Sequence, residues 1–478
     1  MNKLTFSNGL GRAAAIAIIA VMLSGSTQCS IGGRDFGSGS SDTAQTTIAP
    51  IGTFGSVFAA GTEFATTSAT VTLDGVAVGA TALRPGQVAT IKGSIDSGSG
   101  TATGVAVTDK LIGAVSATDP GSGSFTVLGQ TVFVTPDTSV GPGFTVPDVA
   151  GFTVGTVLVI DGYRTSTGVI ASRIDPDEAG QSLRVAGRVA NLDGFALSFT
   201  LNGTTIDYSA VSGGLPNTIT NGTYAVASGG TATAAATLRP AAVTALTESP
   251  PGASGDAGVV HGAITRVGSQ TDFDVAGQTV AAAGTTTVTN GSLADVALDA
   301  EVEVTGTYTS AGTLTASQVA FMPSVTFRMV GPVHSINASA STLEIAGITL
   351  TVNARTRWDD QSGAGLKVFS LANLNVGDWV EVRGLPGGSL AATARTVVRG
   401  VQPTPAYLEL QDVPSALSNP DLTLTGVSVD TSSASFTDAA GAALSRTSFF
   451  AAASGRVVRV KGSIIGNALV AATVAFRP

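Results

Sequence analysis

A single cysteine occurs in the 478 residues, so no disulfide can close within the chain and the compartment cannot be read from disulfide usage. Histidine is almost as scarce. The chain offers His261 and His334 alone, whereas zinc or copper would want clustered His and Cys and a catalytic triad needs a histidine positioned by a carboxylate. Both histidines are expected to face solvent from strands. No Gly-x-Ser-x-Gly elbow precedes a helix, and the many Gly-x-Gly pieces lack the Lys-Ser/Thr ending of a phosphate loop. These absences point away from an enzyme and imply no cofactor or metal.

Charge is thin as well, at 12% of residues, with a net −9 and a sequence pI near 4.7. Lys3, Lys92, Lys110, Lys367 and Lys461 are scattered rather than clustered, which makes nucleic acid the least suitable partner. Beyond the N-terminus no apolar run approaches the roughly 20 residues of a spanning helix. What is plentiful is Gly, 60 residues of it, together with Thr, Ser, Val and Ala. Val and Thr suit a pleated surface and Gly supplies the positive φ of tight turns, so the composition predicts many short strands.

The N-terminus reads as an export leader. Lys3 and Arg12 precede the apolar stretch Ala13 to Leu23, which is too short to span a bilayer, and residues 1–28 are expected to be a signal peptide. Leu23 to Gln28 then lead to Cys29, which places the sole thiol where a lipoprotein signal puts its lipidated cysteine. Gln28 departs from the Gly, Ala or Ser usual before that cysteine. Residues 29–49, read as Gly/Ser-rich with almost no apolar content, are predicted to be a flexible tether. The expected location is the cell envelope, with the chain held to the outer membrane through an N-terminal lipid.

Self-similarity organises the rest. Leu111-Ile112-Gly113-Ala114-Val115, Ser124 to Val132, Val157 to Tyr163 and Gly168 to Ile174 form one set. The order returns from Val260-His261-Gly262 to Val319, and again from Val330-Gly331-Pro332 to Ala394. Weaker copies carry Val88 to Gly93, Val185 to Val189 and Val458 to Gly462. The chain is thus predicted to be all-β, with about six tandem small five-stranded barrels, OB-like or SH3-like, over 50–109, 110–178, 179–250, 251–323, 324–402 and 403–478. The glycine-punctuated strands from Phe54 to Ile174 resemble a family of tandem β-barrel repeats in bacterial envelope lipoproteins, catalogued as a domain of unknown function. That resemblance implies fold and compartment but no reaction and no site residues.

Two constellations remain. Asp175, Asp177 and Glu178 lie together in a linker and are weak calcium candidates, although their spacing matches no EF-hand. Arg357, Trp358, Asp359 and Asp360 combine an aromatic ring with both charges, expected in a loop where they would stack on a sugar or clamp a peptide, or else with the ring plugging its own barrel. Trp379 aligns with Val157 and is expected in the core. The leading expectation is a non-enzymatic envelope lipoprotein acting as spacer or interaction scaffold toward an unidentified envelope protein or glycan. The alternative is a glycan- or peptide-binding surface lipoprotein using the Trp358 region.

Overall fold

The structure is a computed structural model that describes residues 43–477, apart from 54–55, 109–110, 146–147, 178–179, 247–250 and 467. The expected signal peptide and Cys29 lie outside the described residues. Residues Asp42–Pro478 form one compact unit.

The second repeat displays the plan. Its first strand, Leu111–Asp119, leads into the hairpin Ser124–Val127 and Gln130–Val140, followed by a short 3-10 turn at Val149–Gly151 and the closing strands Val157–Arg164 and Val169–Pro176. The fifth strand inserts beside the third in parallel, pairs with the fourth, and the fourth returns to the first. The resulting order, 1-2-3-5-4 and back to 1, is the OB-like Greek-key arrangement, and closure pairs most of the barrel's strand edges internally. All six repeats keep the parallel contact between third and fifth strands. In the sixth, the turn before the fourth strand is replaced by the α-helix Arg446–Ala452, capped by the Ser445 hydroxyl, which accepts from the Ser448 amide at 3.1 Å.

Thr43–Pro50, mostly assigned to the tether, is instead the first strand of the first barrel and has Gln45, Thr46, Thr47 and Ala49 buried. Gly and Ser dominate only the start of the segment. Its end, Thr46-Thr47-Ile48, is β-branched and suits a strand.

A glycine recurs in the fourth strand for a steric reason. At Gly93, Gly162, Gly306, Gly384 and Gly462 the pairing with the fifth strand shifts register. A Cβ at Gly384 would lie 2.0 Å from the Thr393 carbonyl oxygen, and the other four would meet the equivalent oxygen at 2.0 to 2.1 Å. In the third repeat Gly230 meets the Arg239 oxygen at 1.9 Å. The bulge bends the strand so that a small sheet can close, and only a residue without a side chain permits the approach.

Closure is incomplete at one place, and the gap joins the barrels. The early half of each first strand pairs with its fourth strand on one side, while the second strand covers only the later half. The uncovered side of that early half pairs with another barrel's first strand. Leu111 and Ile112 meet Val185 and Arg184; Arg328 to Val330 meet Gln411 to Glu409; and Gln45 to Ile48 run parallel to Ala257 to Val260. The repeats are therefore joined as 2 with 3, 5 with 6, and 1 with 4. Their interiors merge accordingly: one apolar cluster spans the second and third barrels, another the fifth and sixth, and Ile48 and Val259 each enter the other barrel's cluster.

Two outcomes follow from this architecture. The chain starting at Asp42 is expected to scatter X-rays with a radius of gyration of about 22–25 Å, against roughly 40 Å or more for six barrels strung singly. Gly384→Ala is expected to cost about 2–4 kcal/mol by denaturant unfolding, while Gly363→Ala, at an open exposed turn of the same repeat, stays within about 0.5 kcal/mol.

Candidate functional site

The chemically capable side chains converge where the barrels meet. Arg357–Asp360, expected in a loop, forms a strand running parallel to Ala391–Arg399 on the wall of the fifth barrel. Alternation along that strand sends neighbouring residues opposite ways. Trp358 and Asp360 point inward, and Arg357 and Asp359 point toward other barrels.

Trp358 is 6% exposed and packs edge-on against Phe369 with ring centroids 5.7 Å apart. Its backbone amide donates to the Gly52 carbonyl of the first barrel at 2.9 Å. The ring thus fills its own barrel and offers no free face for a sugar, which answers the stacking expectation. Asp360 is gripped by Arg399, whose Nη2 and Nε lie 2.6 and 2.9 Å from the two carboxylate oxygens. Burial would raise this carboxyl, yet the hydrogen bonds from Arg399 and Ser362 hold it well below the usual range. Arg399 also lies over the Phe369 ring. Trp379 is half-buried rather than in the core, as is its counterpart Val157.

The outward pair reaches the second barrel. Arg357 donates to the Asp137 carbonyl at 2.7 Å and the Ser139 hydroxyl at 3.1 Å. Asp359 accepts from Arg173 at 3.2 Å. Arg173 in turn clasps Asp175 through two bonds of 2.6 and 2.7 Å, and Arg84 of the first barrel adds a third at 3.0 Å. Asp175 is thereby neutralised by two guanidinium groups, which argues against calcium at this carboxylate. Asp177 accepts from the Gln181 amide at 2.8 Å, and Glu178 lies outside the described residues. Among the described residues no three His, Cys, Asp or Glu side chains are placed to hold a metal ion.

Arginine recurs at these seams. Arg383 is 1% exposed and donates to the Pro136 and Thr138 carbonyls of the second barrel, each at 2.6 Å, with Glu381 3.1 Å from its Nε. Arg328 bridges Glu381 at 3.0 Å and also bonds Glu409 of the sixth barrel, while Arg459 lies 3.1 Å from Glu409. Arg477 reaches Asp148 of the second barrel at 3.3 Å. Arg184 of the third barrel meets Asp74 of the first at 2.8 Å. A planar guanidinium with five donors satisfies several acceptors at once, and it is weakly hydrated enough to be buried.

A small pocket lies among the first, second, fourth and fifth barrels. It is lined in part by Asp137, His261, Arg355, Arg357 and Arg395. His261, expected to face solvent, has a side chain only 12% exposed and sits 2.8 Å from the Glu301 carboxylate; His334 is exposed. Glu303 holds Arg355 by two bonds of 2.6 and 2.9 Å. Burial, then the negative charge of Glu301, pushes Asp137 above the ordinary carboxyl range. Burial would raise Glu301 too, but the hydrogen bond and charge of His261, with Arg395 nearby, bring it below.

Three segments of the chain, residues 112–175, 261–320 and 330–394, match the model of a family described as a domain of unknown function, DUF5666. They coincide with the second, fourth and fifth barrels, whose sequences are the most alike. The first, third and sixth share the strand order and the bulge glycine without that match. No curated protein matches the chain.

Trp358→Ala is expected to lower stability by about 3–5 kcal/mol in urea titration, as for other large core truncations. A chain of unaltered stability that had lost binding to a glycan array would instead restore the stacking role.

Proposed function

We propose that this chain of DUF5666 barrels and their structural kin is a non-enzymatic interaction body of the bacterial cell envelope, exported by its N-terminal leader and held to the membrane through lipid on Cys29. The observation that carries the reading is the use made of the polar side chains. Arg173, Arg328, Arg383 and Arg399 are all buried and committed to carboxylates or carbonyls, largely across barrel seams. Chemistry needs groups that face a substrate; these face one another. Of the two roles expected from repetition, a scaffold is better supported than a spacer, because the barrels pack as pairs into one unit and gain little reach from their number.

The glycan- or peptide-binding alternative through Trp358 loses its main support with the ring buried. No helix among the described residues is long and apolar enough to cross a membrane, so attachment in this reading rests on the N-terminus. The Ser that follows Cys29 is compatible with outer-membrane sorting in a Gram-negative cell.

Fractionation of cells making the full chain tests the anchor. The wild type is expected in the membrane fraction with a lipid-modified Cys29 at its mature N-terminus by mass spectrometry, and Cys29→Ala in the soluble fraction with its barrels intact. Equal partitioning of the two would remove the anchor, and hydrolytic or redox turnover by the purified mature protein would remove the non-enzymatic reading.

A further inference from the structure

The pocket among four barrels is lined by three arginines of the fifth barrel, Arg355, Arg357 and Arg395, and the other repeats show that the fold does not require them. In the second, fourth and fifth barrels a threonine after the hairpin accepts from the amide three residues before it and donates to a fifth-strand carbonyl: Thr138 to Ala171, Thr286 to Ala316, Thr356 to Ala394. Aligned on that threonine, Arg355 stands where the other two carry Asp137 and Thr285, and Arg357 where they carry Ser139 and Thr287. Arg395 comes from a bulge. Arg383 pairs with Thr396 and Gly384 with Ala394, so Arg395 is the extra residue, whose side chain a bulge re-aims. The same extra position holds Thr103, Ser172, Ser317 and Ala472 in the first, second, fourth and sixth barrels.

Docking employs these three cations unequally. Arg355 is neutralised by the two bonds from Glu303. Arg357 directs its Nη1 to the Asp137 carbonyl and the Ser139 hydroxyl, neither of them a carboxylate. Arg395 makes one hydrogen bond among the described residues, a 3.7 Å contact to the Met322 sulfur, which is a weak acceptor. By contrast Arg173, Arg328 and Arg399 are each clasped by two carboxylates. Among the described side chains on the pocket wall Asp137 alone is acidic. Glu301 and Glu303 stand off the wall, bonded to His261 and Arg355. On the wall itself, cations therefore outnumber carboxylates.

We propose that this pocket binds the carboxylate group of a small organic acid, with Arg395 as the principal donor, Arg357 beside it and the tail of the acid left in solvent. The cavity volume of about 30 Å³ gives room for a carboxylate or a pair of waters and excludes a sugar ring. A planar guanidinium fork matches a carboxylate in geometry as well as charge. Phe58, Pro50 and Ala354 make part of the wall apolar, which strengthens the attraction relative to open water. Because the wall is drawn from four barrels, the site exists only in the assembled body, and an occupant that binds this state alone stabilises it.

Ligand-observed NMR with the full chain at constant ionic strength tests this, using propionate as the probe and propionamide as its neutral counterpart. Propionate is expected to bind saturably with a dissociation constant of about 1 mM or tighter, and propionamide about tenfold more weakly or worse. Arg395→Ser, which installs the residue that the second and fourth barrels carry at this position, is expected to melt with the wild type and to lose about tenfold or more in propionate affinity. Ala354→Leu, at an exposed place on the rim, is expected to block the site without removing a charge, and serves if Arg395→Ser fails to fold. No saturable binding by the wild type, equal binding of propionamide, undiminished binding by either folded variant, or sulfate competing as well as propionate would each overturn the proposal.

Discussion

The early half of each first strand has a hydrogen-bonding side that its own barrel does not cover, and the rest of the architecture follows from that uncovered row. A five-stranded barrel of this size closes only because the first strand serves two neighbours in succession, the fourth strand early and the second strand late. Unpaired backbone groups are costly when buried and adhesive when exposed. Each barrel therefore meets another through the same strand, and six barrels resolve into three joined pairs. Two pairs are neighbours in sequence. The third, between the first and fourth barrels, encloses the second and third between its members, a nested arrangement in which no connection has to cross another.

Once the pairs exist, the seams between them are charged. A chain with only 12% charged residues places a large part of its arginine where barrels meet, with carboxylates and backbone carbonyls as partners. An isolated buried ion pair offers little stability over an apolar contact of the same shape, but it punishes misalignment heavily, because any shift leaves a charge unpaired. Arg383 on the Pro136 and Thr138 carbonyls, Asp359 on Arg173, and Glu303 on Arg355 act in this sense as registration devices. They fix which barrel sits against which face, and the apolar contact at Tyr163, Ile170 and Ala263 fills the space between.

Much of this fold was legible in the residues and the assembly was not. Gly162, Gly306, Gly384 and Gly462 stand out in the sequence because a backbone oxygen occupies the space a side chain would need, and a steric demand of that kind recurs in every copy. Alternation such as Val302-Glu303-Val304 marks strands with two unlike faces, but it misleads about the second face. Glu303, Arg383 and Asp359 look like residues turned to water, and they are turned to another barrel. Local pattern reports which side of a strand is polar and carries no record of what lies beyond it. The preponderance of arginine over lysine was the available signal, since guanidinium suits a buried multi-acceptor site and ammonium does not. Trp358 falls between the second hairpin and the fourth strand, which suggests a loop, yet the segment is a strand whose alternation buries the ring and Asp360 together. Thr43–Ala49 follows directly on a Gly/Ser-rich run and shares its hydroxyl-rich character, so composition alone does not separate the strand from the tether.

The nested pairing also sets an order of events as the chain is made. Emerging from its N-terminus, the first barrel can close around its own apolar lining at once, but Thr43–Pro50 must wait for Ala257–Val267 before its open side is satisfied. The second and third barrels finish and pair during that interval. Throughout it, the first barrel carries an adhesive strand whose partner does not yet exist. An edge left open for that long is the part of this architecture most exposed to pairing with another chain.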